Sequence, residues 1–291
     1  GKAFDTDRLG VLCANLLGGR YGTTGPTSID PENGRPFGRS FPEVTTRDQA
    51  RAQWRLLDAL GIDRVGLVTG GSLGGMVALE FAVERPGAVD HVVPIAAPAA
   101  TGALAIAWNH IQVELIERLG DDGLALARQL AMTTYRSEAD FGERFGRSRE
   151  ADRSLSIVSY LRHQGDKLVE RFDGETYRVL ARAMDRHDIG EGRGGRDAAL
   201  ARLAAGGTRL IGIGIEGDIL YGPTQVRALV AASAAAGVDA RYREIRSTKG
   251  HDAFLVEWDQ LTALFREALA KADEESAEAP RVVSEWQSLE A

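Results

Sequence analysis

The chain has 291 residues, 44% hydrophobic and 26% charged, enough to bury a substantial core as one α/β domain or as a domain carrying an insertion. A formal net charge of −7 without a long basic cluster argues against a general nucleic-acid binder, and the single cysteine, Cys13, excludes an intrachain disulfide framework and suits a reducing, cytoplasmic compartment. Residues 92–108 are the one stretch resembling a membrane span, but they hold Pro94, Pro98 and Gly102 and fall short of the ~20 residues a bilayer requires, so neither a membrane segment nor a signal peptide is expected.

After a polar start, residues 9–17 read as a strand, with Cys13 as a small buried side chain within it. The run Gly18-Gly19-Arg20-Tyr21-Gly22-Thr23-Thr24-Gly25-Pro26 is a glycine-dense loop, and residues 30–38, with two prolines and Asn33-Gly34, continue as irregular surface chain. No helix is expected before Thr45. Thr45 or Thr46 is placed to cap the next one, in which Ala50, Trp54, Leu57 and Leu60 recur at helical spacing up to Gly61.

Residues 65–68 are a short apolar run suited to a buried strand, and from Met76 to Phe81 the apolar positions suit a helix with one buried face. Between them lies Gly70-Gly71-Ser72-Leu73-Gly74, a GxSxG pattern in the strand, turn and helix context of a nucleophile elbow. With 34 glycines in the chain, about 0.2 such matches arise by chance, so the weight rests on context. A phosphate-binding turn would need a lysine at Walker spacing, and none is present.

The helix ends near Pro86 and residues 91–97 form a third strand; strand, helix, strand, helix and strand in succession imply a parallel sheet with crossover helices. From residue 101 to 202 the chain is helical and mixed in charge, with helices over 106–119, 123–132, 154–166 and 176–185. About 100 residues exceed an ordinary crossover and read as an inserted cap covering the mouth of the site. Strands at 208–215 and 240–245 flank a helix at 223–236. The expected organisation is a discontinuous core, 1–100 and 203–272, a helical cap, 101–202, and a loosely packed acidic tail, 273–291.

Serine is a poor nucleophile at neutral pH, so Ser72 needs a base, and the base needs a partner that fixes its tautomer. In the order Ser, acid, His of the elbow-bearing enzymes the acid follows a late strand and the histidine the last one, which selects Asp218 and His251. The backbone N–H of Leu73 supplies half of an oxyanion hole. His91, His110, His163 and His187 precede the last strands and are assigned surface or structural roles; Glu216 is the rival acid. The GxGxxG match at residues 212–217 lies inside a late strand with no helix at once behind it, which disfavours a dinucleotide site. Residues 190–195 read as a flexible glycine-rich return from cap to core.

Six segments in one order resemble the homoserine O-acetyltransferase family of α/β-hydrolase-fold enzymes: Asn15-Leu16-Leu17-Gly18-Gly19, Gly22-Thr23-Thr24-Gly25-Pro26, residues 70–76, Arg171-Phe172-Asp173, His187-Asp188-Ile189-Gly190 and residues 250–255. The resemblance implies an α/β-hydrolase-type parallel sheet with an inserted helical cap, the family's N-terminal strands and second oxyanion donor falling upstream of Gly1. The chain is then a fragment or processed product, or a separate N-terminal segment completes it. The implied reaction is acetyl transfer from acetyl-CoA, as co-substrate, to homoserine through an acyl-serine in methionine biosynthesis, with no metal and no further cofactor.

Carried over by motif, Ser72 is the nucleophile, His251 the base, Asp218 its orienting acid and Asp252 the holder of the substrate ammonium. Arg128 matches the carboxylate-binding position, with Tyr135 two helical turns on and able to share its face. A homodimer built through the cap is also implied. Leu73 stands where the family has Met and Gly217 where it has Ser before the acid, so acetyl versus succinyl donor and homoserine, serine or water as acceptor stay open. A serine O-acyltransferase or carboxylesterase uses the same triad; a non-catalytic partner subunit or inactive fragment is the alternative of another class.

Overall fold

The computed structural model describes residues 2–276, so the tail expected over 273–291 lies outside the described residues from 277 onward. Four strands, β1 (Val65–Gly71), β2 (Val89–Ile95), β3 (Arg209–Ile215) and β4 (Ala240–Ile245), form one sheet in that order, each parallel to its neighbour. Val65 lies opposite Val89, Ile95 opposite Ile213 and Ile215 opposite Ile245. β3 is buried from Leu210 to Ile215, the near-continuous apolar run of a strand covered on both faces.

Along the chain the helices are α1 (Thr46–Ala59), α2 (Leu73–Glu84), α3 (Ala103–Leu119), α4 (Asp121–Tyr135), α5 (Glu138–Arg144), α6 (Ser156–Val169), α7 (Gly174–Asp185), α8 (Arg196–Ala205), α9 (Pro223–Ala235) and α10 (Trp258–Ser276). The cap expected at Thr45 forms reciprocally: Thr45 Oγ1 accepts from the Asp48 N–H at 3.1 Å, and Asp48 Oδ2 accepts from the Thr45 N–H at 2.9 Å. Trp54 of α1 stacks on Phe81 of α2, centroids 4.0 Å apart and planes 11° from parallel, and its indole N–H donates to the Phe81 carbonyl at 2.9 Å. These two helices fix one face of β1 and β2.

Residues 9–17 are not a strand. Val11 and Leu12 are 53% and 58% exposed, and among the described residues no segment pairs with them, so their backbone groups have no ladder to join. Apolar content alone does not make a strand; a neighbour does. Cys13, expected to be buried, is exposed for the same reason. Leu16 and Leu17, at the end of the run, do pack against the α1 and α7 sides of the core.

Between β2 and β3 the chain is helical, and α3, α4, α6 and α7 pack together around Ile116, Leu124, Ala127 and Leu168. Helices α4 and α6 cross closely at Gly165, where a Cβ would stand 2.6 Å from the Ala125 carbonyl oxygen. α5 and α10 carried no sequence expectation. Neither did α8, part of the 101–202 stretch read as cap: its Ala199, Leu200 and Leu203 lie in the same apolar cluster as Trp54 and Leu79, beneath the sheet. The return through residues 190–195, read as flexible, is anchored by Arg193, whose guanidinium donates to Glu80 at 2.6 Å and to Glu84 at 2.7 Å. Among the described residues no helix is long and apolar enough to cross a membrane.

Trp54→Ala, which removes both the stack and the indole hydrogen bond, is expected to cost about 3–5 kcal/mol of stability. Urea unfolding of the two proteins reads the difference directly.

Candidate active site

The turn between β1 and α2 holds Ser72 at φ 55° and ψ −123°, a conformation costly for any residue with a side chain. Three backbone hydrogen bonds hold it there: its N–H donates to the Ile95 carbonyl at 2.9 Å, and its carbonyl accepts from Gly75 at 2.9 Å and Met76 at 3.0 Å. The turn is tight enough that a Cβ at Gly70 would fall 2.4 Å from the Gly74 carbonyl carbon and 2.8 Å from its Cα, which is why the first position of GxSxG is glycine. Ser72 is half-buried at the head of α2, and Leu73 is that helix's first residue, so its N–H has no acceptor within the helix and forms part of the positive end of the dipole.

Asp218 follows β3 and His251 follows β4, in a 3₁₀ turn over Gly250–Leu255. Both are buried, 5% and 3% exposed, and His251 Nδ1 lies 2.8 Å from Asp218 Oδ2. The other carboxylate oxygen of Asp218 accepts from the N–H groups of Leu220 at 2.8 Å and Tyr221 at 3.1 Å, which fixes its plane. A carboxylate partner assigns the proton to Nδ1 and leaves Nε2 as the basic nitrogen. The imidazole is walled by rings, with centroids 5.9 Å from Tyr135, 5.6 Å from Tyr221 and 5.6 Å from Phe254. Phe254 also lies against Gly71, where any Cβ would strike its ring, so one side chain spans from the histidine turn to the residue before Ser72. The carboxyl ends of β1, β3 and β4 thus present serine, acid and imidazole at one edge of the sheet.

The rival groups lie elsewhere. Glu216 is exposed and its N–H extends the ladder to Ile245. His110 and His163 are exposed, and His91 is buried in β2. His187 is buried with Nδ1 3.1 Å from Thr46 Oγ1 and Nε2 3.0 Å from the Pro98 carbonyl, and burial lowers its pKa, so it pins the end of the cap to α1 as a neutral ring. The GxGxxG match occupies β3 and the turn after it.

Of the remaining sequence candidates, Arg128 and Tyr135 meet on α4, the guanidinium carbon 5.4 Å from the ring centroid. Burial raises the Tyr135 phenol, with Arg128 opposing and Asp252 adding to the rise. Asp252 stands beside His251 with its carboxyl raised by burial, against the pull of Arg136, His251 and Arg128. It is not a solitary carboxylate: Arg136 Nη2 lies 3.1 Å from its Oδ2. Phe254 falls within the 250–255 segment without a role of its own there, and Arg136 and Tyr221 carried no sequence signal, because their places arise only when the α4–α5 joint meets the turns after β3 and β4.

A family model described as the alpha/beta hydrolase fold matches residues 1–152. A homoserine O-acetyltransferase from Thermus thermophilus is 48% identical over 269 residues, covering 90% of this chain and 67% of that protein. One from Moorella thermoacetica is 41% identical over 286 residues, covering 91% and 76%. Among solved structures, a homoserine O-acetyltransferase from Staphylococcus aureus superposes with a TM-score of 0.71 at 32% identity, covering 88% of this chain and 71% of that one. A crystallised esterase superposes at 0.77 with 25% identity, covering 85% and 72%.

Arg136 is the largest charge opposing the rise at Asp252. Arg136→Gln is therefore expected to move the carboxyl's titration to still higher pH, read by 13C NMR of the labelled side chain; a midpoint that falls or stays put would show that the guanidinium is not what holds it.

Proposed function

Given that the chain belongs to the homoserine O-acetyltransferase family of the α/β-hydrolase fold, we propose that it transfers an acetyl group from acetyl-CoA to the hydroxyl of L-homoserine through an acetyl-Ser72 intermediate, a step of methionine biosynthesis. The observation that carries the chemical part is the buried 2.8 Å contact between His251 and Asp218, at the same sheet edge as the strained elbow.

With Nδ1 committed to Asp218, Nε2 of His251 takes the Ser72 proton as the hydroxyl oxygen attacks the thioester carbonyl. The Leu73 N–H faces the oxyanion that forms. Collapse breaks the carbon–sulfur bond, and the imidazolium returns its proton to the departing thiolate. In the second half the same nitrogen takes the homoserine hydroxyl proton, that oxygen attacks the ester, and Ser72 leaves with the proton restored. Asp252 holds the ammonium of the acceptor, and Arg128 with Tyr135 its carboxylate. The cap serves by orienting the amino acid and limiting water, because an acyl-serine is equally open to hydrolysis.

That last point favours one second reading. The likeness to an esterase structure and the partial exposure of Ser72 suit a carboxylesterase, in which water is the acceptor.

The test offers the full chain acetyl-CoA with homoserine, serine or water alone, following thiol release and the mass of Ser72. Acetylation of Ser72 and fastest turnover with homoserine are expected. Fastest turnover with water would replace the transferase by the esterase, and an unmodified Ser72 would remove both. Ser72→Ala and His251→Ala are each expected to lower turnover by roughly 10⁴–10⁶-fold.

A further inference from the structure

Beside the site lies a chain of four alternating charges that the mechanism does not use in full. Asp140, in the first turn of α5, has a side chain with no exposure to solvent. Lys249, two residues before His251, donates to its Oδ1 at 2.7 Å. Its Oδ2 faces Arg136 Nη1 at 3.6 Å and, from the rim, Arg144 Nη1 at 3.6 Å. The other prong of Arg136 reaches Asp252 at 3.1 Å. One guanidinium therefore bridges two carboxylates, one wholly enclosed and one beside the imidazole.

The bridge is not a hydrogen-bonded lock. Asp140 Oδ2 and Arg136 Nε are both buried and neither has a hydrogen-bond partner among the described residues. Arg136 is thus held on the Asp140 side by Coulomb attraction at 3.6 Å, an interaction that strengthens in a dry interior and vanishes with the charge. Without it, the same guanidinium can close fully on Asp252 as a bidentate pair, the geometry Arg and carboxylate prefer. An Asp252 so paired offers little to a third, cationic group.

We propose that Asp140 is a specificity-determining positioning residue, drawing Arg136 partly away from Asp252 so that this carboxylate remains available to an acceptor alcohol bearing a primary ammonium. The inference rests on the functional reading above, in which Asp252 receives the acceptor's ammonium. Asp140 touches no reactant; it acts through Arg136. Lys249 is the counter-charge that makes an ionised carboxylate tenable at a position with no solvent, since an unpaired buried charge is strongly disfavoured.

The experiment compares Asp140→Asn with the unaltered full chain at about pH 8. It measures the rate of Ser72 acetylation by acetyl-CoA and kcat/KM for homoserine against 4-hydroxybutanoate, the same alcohol without the ammonium. The expected result is a loss of the preference for homoserine by about tenfold or more, carried by KM, with acetylation changed by less than about threefold. Adding Arg136→Gln to Asp140→Asn removes the guanidinium that closes on Asp252 and is expected to recover part of the lost preference. Equal losses for both acceptors with parallel slowing of acetylation, or a double variant worse than either single one, would overturn the proposal in favour of a structural role for Asp140. Should Asp140→Asn fail to fold, Arg136→Lys replaces a two-pronged cation by a point charge that can serve one carboxylate at a time, and a preference unchanged within threefold there overturns the proposal equally. An unaltered chain that acetylates Ser72 but passes nothing to either acceptor sinks the functional reading itself, a result distinct from a working transferase whose preference ignores residue 140.

Discussion

A serine side chain at φ 55° is an arrangement the backbone resists, at a cost on the order of 1–3 kcal/mol, and most of what surrounds β1 and α2 serves to hold it. The Ser72 N–H is pinned to β2 through Ile95, so the strained residue is still formally part of the sheet. Its carbonyl is drawn into the first turn of α2, so it is already part of the helix. The contact between Gly70 and Gly74 lets the two elements meet at so sharp an angle, and the stack of Trp54 on Phe81 keeps α2 from turning away. The hydroxyl points where it does because backbone bonds and apolar packing over-determine it.

The pair of Asp218 and His251 is fixed by another means. Asp218 is oriented by two backbone N–H groups and His251 by Asp218 and three aromatic neighbours. Each is nearly dry, so the hydrogen bond between them is not diluted by solvent. Elsewhere the chain uses charge where it needs to join parts distant in sequence: Glu80, deep in α2, receives Arg47 from α1 and Arg193 from the 190–195 return, and Asp140 receives Lys249 from the turn after β4. Breaking one partner of such a buried pair costs far more than the pair contributes in total, which makes these joints unforgiving of single substitutions.

The parts legible in the sequence are those whose cause is local. β4 has the predicted limits, and α1, the elbow and α9 begin where capping, glycine placement or an N-terminal proline says they should. Chain order and the ends of strands single out Asp218 and His251, and the fold sets Oδ2 of one 2.8 Å from Nδ1 of the other. What failed or was missed depends on neighbours. Residues 9–17 have the composition of a strand and lack a described partner to pair with. α8 falls in a stretch read as cap, and only its place in the apolar cluster that holds Leu79 assigns it to the sheet side. Arg136 and Asp140 look like ordinary charges on a helical surface until the α4–α5 joint is folded onto the turn after β4.

That joint makes direct main-chain contact. Gly250, at φ 66°, sits so close to the cap that a Cβ there would stand 2.7 Å from the Ser137 nitrogen, and the next residue along is the imidazole. Roof and base are therefore welded at one point, and a swing of α4 and α5 large enough to expose the serine from above would carry the histidine off with it.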